Sequence, residues 1–236
     1  MYFYHSDDIW ERFPTLRALT LVLRGVINAN KATADVSKTL TEVGQMLQAK
    51  PESELAPIQA WRHAYARMGL KPTQYRCAAE ALLRRFRKDG ELPRLHPLVD
   101  VLNAESMLAS TPIAAFDAAQ VAQGITVQPA LGNEIYTTFQ GEIEHPEKDE
   151  IVFVDAAGSA HSRRWVHRQG AVSAVRDSSN IVLIVAEALH ETAEADLEVL
   201  HARLLARAGA LGIRVSESLM VKPQARRLEF RLEDSV

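Results

Sequence analysis

The densest group of side chains capable of chemistry is a basic segment around residue 165. It places a tryptophan among arginines and histidines, in the order His161-Ser162-Arg163-Arg164-Trp165-Val166-His167-Arg168. Guanidinium groups bind phosphates or stabilise a developing oxyanion, and an indole supplies an apolar or stacking wall. The alternative is a solvated loop with one buried tryptophan. The residues alone leave both interpretations open.

Glu187 is a second chemically capable residue, because it is an isolated carboxylate in the apolar run 181–189. A carboxylate that is buried needs a hydrogen-bonding or charged partner. Glu187 therefore either meets such a partner inside the protein or marks the point where the run reaches solvent.

A cluster of four cations lies earlier in the chain, at Arg84, Arg85, Arg87 and Lys88. Such a cluster is able to contact nucleic-acid phosphates. It also suits the C-terminal turn of a helix, where the helix dipole favours positive charge. Ordinary surface charge is the commoner explanation for a run of this size.

The usual signatures of cofactor and metal chemistry are absent from the sequence. Glycine-rich phosphate loops do not occur, and the spacing of His161 and His167 fits no standard zinc motif. A Ser-His-Asp relay stays open, because its members need only meet in space, but no GxSxG elbow locates a serine. Cys77 lies in a half-apolar helical pattern typical of core packing. We therefore predict no cofactor, no metal and no thiol chemistry.

Composition favours a soluble globular protein of 236 residues with 47% hydrophobic and 24% charged residues. A single cysteine excludes an intrachain disulfide and indicates the cytoplasm, and no apolar run is long enough to span a membrane. The net charge of -3 gives no global attraction to a polyanion. Any contact with nucleic acid is thus expected to come from a local patch.

The elements that must position these groups mix helices and strands irregularly, which favours an α+β fold. Period-two or continuous apolar runs predict strands over 19–27, 124–128, 135–139, 151–154, 180–189 and 227–232. Helical spacing predicts helices through 40–47, 57–68, 76–88 and 192–204, the last capped by Thr192. No linker or internal repeat divides the chain, so we predict one domain over 1–236.

Two motifs in the middle of the chain resemble a known family. They are Leu95-His96-Pro97-Leu98-Val99-Asp100-Val101-Leu102-Asn103 and Thr111-Pro112-Ile113-Ala114-Ala115-Phe116-Asp117. Their residue types and spacing are similar to the Val-Asp-Val-Thr-Asn and Pro-Leu-His-Ala-Phe-Asp motifs of the tRNA-editing domain in the bacterial phenylalanyl-tRNA synthetase β subunit, formed there by the third and fourth B domains. The resemblance is clearest over 58–190, and the whole chain fits one freestanding domain of this type.

The resemblance implies layered β-sheets flanked by helices, and hydrolysis of the ester that joins a wrong amino acid to tRNA. Asn103 matches the family's motif asparagine and Asp117 ends its second motif. The family's strand-borne glutamate falls on Ile184 by strict spacing, with Glu187 three positions later. On this basis the expected catalytic residues are Arg168, Glu187 and Asn103. The expected substrate-binding residues are Arg163, Arg164, Trp165, Asp100 and Asp117, and the expected tRNA-binding residues are Arg84, Arg85, Arg87 and Lys88.

One departure affects specificity. The histidine of the family's second motif is replaced by Ala114, so a polar pocket contact is expected to be lost and the family's tyrosine specificity does not carry over. Asp100 and Asn103 also have a structural alternative, since Asp and Asn commonly cap helices or join turns.

Three functions follow as hypotheses. The first is a trans-editing hydrolase that deacylates tRNA misacylated with a hydrogen-bonding amino acid, with aminoacyl-tRNA and a synthetase as the expected partners. The alternative, motivated by Ala114, is a non-catalytic module that binds tRNA or an amino acid. A third is a small-molecule hydrolase unrelated to tRNA, because a fold does not fix a function.

Overall fold

The protein is described by a computed structural model that covers residues 1–31 and 34–233. It confirms the α+β class and the layered sheets flanked by helices. The α-helices are α1 (Asp7–Arg12), α2 (Ser37–Ala49), α3 (Ala56–Arg67), α4 (Ala78–Asp89), α5 (Pro97–Ala109) and α6 (Ala193–Ala210). Within the described ranges, no helix is both long enough and apolar enough to cross a membrane.

The strands form two larger sheets and one hairpin. They are β1 (Tyr2–His5), β2 (Arg17–Arg24), β3 (Ile113–Asp117), β4 (Gly124–Pro129), β5 (Tyr136–Thr137), β6 (Ile143–Glu144), β7 (Ile151–Asp155), β8 (Ala160–Arg163), β9 (Arg168–Gln169), β10 (Ile181–Ala188), β11 (Arg214–Val221) and β12 (Arg227–Glu229). The six-stranded sheet has the order β12-β1-β4-β7-β8-β9, the four-stranded sheet has the order β11-β2-β10-β3, and β5 pairs with β6.

The two central strands of the four-stranded sheet, β2 and β10, are buried on both faces, which explains why they are apolar runs without alternation. Alternate residues of a strand point to opposite faces. In β10, Leu183 and Val185 enter a first core, which reaches the six-stranded sheet and α3. Val182 and Ile184 enter a second core, under α5 and α6. The layers are therefore sheet, sheet and helices.

Several element boundaries differ from the predictions. The strand predicted over 19–27 ends at Arg24, because Gly25 adopts a φ of 76° and the chain continues as a 3₁₀ turn over Val26–Lys31. The strand predicted over 135–139 shortens to Tyr136–Thr137, and the strand predicted over 227–232 shortens to Arg227–Glu229.

Two helix starts also have particular causes. Thr192 precedes α6 as predicted, although its hydroxyl donates to Asp196 Oδ2 at 2.7 Å rather than accepting from the helix backbone. The helix α5 begins at Pro97, which needs no donor at the first helical position. It carries the first family motif.

Candidate functional site

A cleft of about 220 Å³ lies where α5, β3 and the segment after β9 meet. This volume is below the roughly 300–1,000 Å³ typical of drug-sized ligands, so it suits a smaller one. Most of its wall is apolar, formed by Val99, Leu102, Ile113, Ala115, Ala174 and Val175. Three polar residues interrupt that wall, His96, Asn103 and Gln169, and two exposed residues, Leu95 and Phe139, complete the lining.

Asn103 is the predicted site residue that this cleft contains. It is half-buried on α5, one turn after Asp100. Asp100 itself serves the turn before the helix, because its Oδ1 accepts from the Leu95 backbone nitrogen at 2.9 Å and its Oδ2 lies 3.7 Å from Arg94 Nη1. This geometry matches the turn-joining alternative for Asp100, whereas Asn103 stays available to a ligand.

His96 is a cleft residue that sequence reasoning did not single out. It caps α5, with Nδ1 accepting from the Leu98 backbone nitrogen at 3.1 Å. An accepting Nδ1 carries no proton, so the ring is neutral with its hydrogen on Nε2. Burial lowers the pKa of His96, which also favours the neutral ring. The available signal was its place directly before Pro97, where a helix cap is expected.

The opposite side of the cleft is held by a network around Gln169. Its side-chain amide nitrogen donates to the Ala115 carbonyl oxygen at 2.7 Å, and its backbone carbonyl oxygen accepts from Tyr136 Oη at 2.9 Å. These bonds tie β9 to β3 on one side and to β5 on the other. The β5–β6 hairpin therefore has a fixed position beside the cleft.

Phe139 lies on the turn of that hairpin and is 65% exposed. The turn is closed by the Thr138 nitrogen, which donates to the Glu142 carbonyl oxygen at 2.9 Å. The Thr138 hydroxyl accepts from the Glu142 nitrogen at 3.1 Å. An exposed aromatic ring is thus presented on a well-bonded turn beside a small cleft.

Glu187 and Trp165 meet in the first core. Both oxygens of the Glu187 carboxylate lie 3.1 Å from Trp165 Nε1. His5 Nε2 lies 2.6 Å from Glu187 Oε1, and Trp61 Nε1 donates to the Glu187 carbonyl oxygen at 3.3 Å. All of these side chains are buried. The Trp165 indole and the His5 imidazole are therefore the partners that the buried Glu187 carboxylate requires.

Glu187 does not share the cleft with Asn103, although both are expected from the sequence to be catalytic residues. Ala186 belongs to the second core, and its neighbour Glu187 points to the opposite face of β10. Ile113 and Ala115 line the cleft on the second-core side. The sheet itself separates the two side chains.

The same alternation places Ala114 and Ile184. Ala114 packs against the first core, away from the side on which its neighbours Ile113 and Ala115 line the cleft. Ile184 packs in the second core and pairs with Ala115 in β3. The residue at the family's glutamate spacing is thus apolar and lies on the cleft side of the sheet.

Arg163 is already engaged by carboxylates, which bears on its predicted phosphate contact. Its Nε and Nη2 donate to the two oxygens of Glu150 at 2.9 Å each, and its Nη1 donates to Glu144 Oε2 at 2.5 Å. Burial alone would raise the pKa of Glu150, but the bonds to Arg163 outweigh it and lower the pKa. Arg163 is only 5% exposed, so its side chain stabilises the six-stranded sheet from within the protein.

The other two arginines of the segment remain closer to solvent. Arg164 is half-buried, with its guanidinium 4.7 Å from the centre of the Tyr75 ring. Arg168 has a side chain that is 45% exposed, and it lies 3.7 Å from Glu144 Oε1. Most of the segment is buried rather than solvated, and the Trp165 backbone nitrogen donates to the Ile151 carbonyl oxygen at 2.6 Å. Its predicted roles in substrate binding remain predictions.

The basic cluster on α4 is partly neutralised by a buried carboxylate. Arg84 Nη1 lies 3.1 Å from Glu52 Oε1, and Arg87 Nη1 lies 2.8 Å from Glu52 Oε2, while Glu52 is 1% exposed. Arg85 lies 3.7 Å from Asp89 on the same helix. Lys88 is exposed. The tRNA contacts predicted here would thus fall chiefly on Arg85 and Lys88.

Asp117 is buried, and its polar atoms are used within the protein. Its Oδ1 accepts from the Ala119 nitrogen at 3.1 Å, and its Oδ2 accepts from the Ser179 hydroxyl at 2.7 Å. Its predicted role in substrate binding is untested, and these bonds explain the motif residue as a support for the end of β3.

A Ser-His-Asp series does occur, at Ser173, His161 and Asp155. His161 Nδ1 lies 2.8 Å from Ser173 Oγ, and its Nε2 lies 3.3 Å from Asp155 Oδ2. Ser173 is 0% exposed and His161 is 1% exposed, and neither residue lines the cleft. Burial alone would raise the pKa of Asp155, but His161 and the nitrogens of Ala122 and Ser159 outweigh it and lower the pKa to about 2.

Metal and thiol chemistry find no site in the described part of the chain. No group of three or more His, Cys, Asp or Glu residues there is arranged to hold a metal ion. Cys77 is fully buried, and burial raises the pKa of its thiol to about 12. A thiol with such a pKa is protonated near neutrality and is a poor nucleophile.

Comparison with known proteins identifies the family. The B3/4 domain family matches residues 60–199, which is more than half of the chain, and the protein belongs to this family. The family resemblance predicted from the two motifs is thereby confirmed. No curated protein matches the chain at a significant level.

The chain is also similar to solved structures. The chain is similar to an N-terminal fragment of the phenylalanyl-tRNA synthetase β-subunit from Pyrococcus horikoshii, with 10% sequence identity and a TM-score of 0.44. The match covers 90% of this chain and 49% of that fragment, so the chain spans about half its length.

Proposed function

We propose that the protein deacylates misacylated tRNA, and that the aminoacyl group is bound in the cleft at Asn103. The observation that carries this proposal is that the family's motif asparagine lies in a small, largely apolar cleft with an exposed aromatic ring beside it. A cleft of this kind suits an amino-acid side chain in its apolar part and polar contacts to the ester. This function rests on the family resemblance together with that geometry.

The chemistry requires little from the protein. Water adds to the acyl carbon, the bond from that carbon to the ribose oxygen breaks, and the ribose oxygen takes a proton. An aminoacyl ester is already reactive, so positioning and donors for the oxyanion supply most of the catalysis. The Asn103 amide is proposed as one such donor. The positive end of the α5 dipole, which begins at Pro97, lies on the same side of the cleft.

The tRNA end is proposed to reach the cleft past Phe139. A base stacks on an aromatic face with little dependence on sequence, which suits the terminal adenosine that every tRNA carries. Arg168, the more exposed arginine of the basic segment, is proposed as a phosphate contact. Glu187 is proposed to act at a distance, by holding Trp165 and therefore the arginines on either side of it.

The domain organisation, the partner and the cellular location belong to the same proposal. We propose that 1–236 acts as one editing-type domain, supported by the pairing of β1 with β12 near the two ends of the described chain. A synthetase is proposed as the source of the misacylated tRNA, and the cytoplasm as the place of action, in keeping with the single unpaired cysteine.

A non-catalytic binding module is the second candidate function. Its motivation was the loss of a pocket histidine at Ala114. Ala114 packs against the first core rather than lining this cleft, which weakens that motivation without removing it. The two functions share one binding site and differ only in whether the ester is hydrolysed.

A panel of tRNAs, each carrying one wrong amino acid, tests the proposal. Release of radiolabelled amino acid by the protein, above the spontaneous rate and for a subset of the panel, is the expected result. Binding without release would favour the non-catalytic module. Neither binding nor release on any tRNA would leave a small-molecule hydrolase as the remaining hypothesis.

A further inference from the structure

His96 is the polar cleft residue whose hydrogen bonding is incomplete. His96 is only 7% exposed, and its Nε2 has no hydrogen-bond partner among the described residues. Leaving a buried donor without a partner costs free energy. A ligand acceptor in the cleft would remove that cost.

The state of the ring is fixed by the helix. The His96 Nδ1 accepts from the Leu98 nitrogen. A proton on Nδ1 would point at the Leu98 N–H and break this hydrogen bond, because both groups would then be donors. The remaining hydrogen is therefore on Nε2, and the ring is a neutral donor. Since His96 lines the cleft together with Asn103, the two side chains are placed to act on the same ligand.

We infer that His96 donates its Nε2 hydrogen to the acyl oxygen of the aminoacyl group in the cleft, so that the ligand class is one bearing a carbonyl oxygen next to a small side chain. This inference rests on the proposed function for the identity of the ligand. A neutral donor also stabilises the oxyanion that forms when water attacks, without moving a proton onto it.

The neighbouring polar groups do not fill this role. The Gln169 amide nitrogen already donates to the Ala115 carbonyl oxygen at 2.7 Å, and Asp100 is an acceptor engaged by the Leu95 nitrogen. Among the side chains that line the cleft, Asn103 and His96 are thus the donors placed to reach a carbonyl oxygen.

Replacing His96 by Asn separates the donor from the cap. Asn is a preferred helix-capping residue and keeps an acceptor for the Leu98 nitrogen, but its short amide does not extend to the position of Nε2. His96→Ala removes both functions. We expect His96→Asn to keep the thermal stability of the wild type and to lower the rate constant of hydrolysis about 10²–10³-fold, with a smaller change in KM.

A second measurement does not depend on hydrolysis. The imidazole of ¹⁵N-histidine-labelled wild-type protein is followed by NMR during titration with a panel of aminoacyl-adenosines whose 3′ ester is replaced by an amide. A shift of the His96 Nε2 resonance is the expected result. If wild-type protein hydrolyses no ester but this resonance still shifts, the hydrolase proposal fails while the inference stands. An unmoved resonance, or a His96→Asn variant as fast as the wild type, overturns the inference.

Discussion

The indole Nε1 of Trp165 donates to the carboxylate of Glu187, and both carboxylate oxygens lie 3.1 Å from it inside the core between the two sheets. Trp165 is fully buried, although it lies in the most basic segment of the chain. Arg164 and Trp165 both have a positive φ, 46° and 59°, which non-glycine residues adopt at a cost. The Glu187 contact is one of those that hold the segment in this conformation.

Replacing Glu187 is expected to destabilise the fold first. Glu187→Ala leaves His5 and Trp165 without their shared acceptor, and each buried polar group left without a partner costs about 1–3 kcal/mol. Glu187→Gln, which keeps one acceptor oxygen, should lose less. Urea unfolding followed by tryptophan fluorescence measures both. If Glu187→Ala keeps wild-type stability and instead changes which amino acid is released, Glu187 contacts the substrate directly.

Phe139 is expected to contribute to tRNA affinity. Loss of one base-stacking contact costs about 1–3 kcal/mol, so Phe139→Ala should weaken binding of tRNA roughly tenfold, while Phe139→Trp should retain it. Ile143→Ala is the matched control, because Ile143 lies on the same hairpin and is 66% exposed but does not line the cleft. Equal losses for Phe139→Ala and Ile143→Ala, measured by filter binding, would contradict a stacking role.

The cations of α4 should divide into two pairs. Arg85→Glu with Lys88→Glu is expected to weaken tRNA binding and to reduce its salt dependence, since each phosphate contact contributes about 0.7–0.9 to the slope of log K against log salt. Arg84→Glu with Arg87→Glu should chiefly lower stability, because both arginines neutralise the buried Glu52. Binding at several salt concentrations and urea unfolding of both double variants check this. An unchanged slope for the first pair would assign α4 to ordinary surface.

Asp155 should make stability depend on acid pH. Its folded pKa of about 2 lies below its ordinary value of 3.8, so its stabilising contribution is present above pH 4 and is lost as the pH falls from about 4 towards 2. The contribution is on the order of 2 kcal/mol. The difference in unfolding free energy between wild type and Asp155→Asn should therefore be largest near pH 5 and shrink below pH 4. A difference independent of pH across this range would show that the carboxylate charge is not the cause.

Sequence patterns located the fold class and the buried strands because those follow from composition and period. The run 180–189 is continuous and apolar because both faces of β10 are covered, and it appears as Ile181–Ala188. For a strand that is apolar on both sides, the sequence pattern does not indicate which face of the sheet each residue points to. Glu187 and Ile184 differ by three positions, an odd number, and so point to opposite sides of β10.

The site was only partly predictable for a similar reason. Asn103 was found through its motif, but His96 was not, because its importance comes from an unpartnered nitrogen that only the folded cleft reveals. Phe139 was assigned to a strand because Thr137 and Thr138 continue a β-like pattern, whereas the bonds within the turn end the strand at Thr137. The ion pairs of Arg163 could not be predicted from the sequence, because Glu144 and Glu150 are distant from it along the chain.

The central claim is that the cleft binds the aminoacyl group, and filling the cleft tests it most directly. Ala174 is half-buried in the cleft wall, so the larger side chain of Ala174→Phe should fill the cleft. The Asn103 side chain itself is unchanged in this variant. Ala206→Phe, at an exposed position of α6, is the control. With a misacylated tRNA that the wild type hydrolyses, Ala174→Phe should lose nearly all amino-acid release while Ala206→Phe keeps it. A folded Ala174→Phe variant that releases amino acid at the wild-type rate would contradict the account.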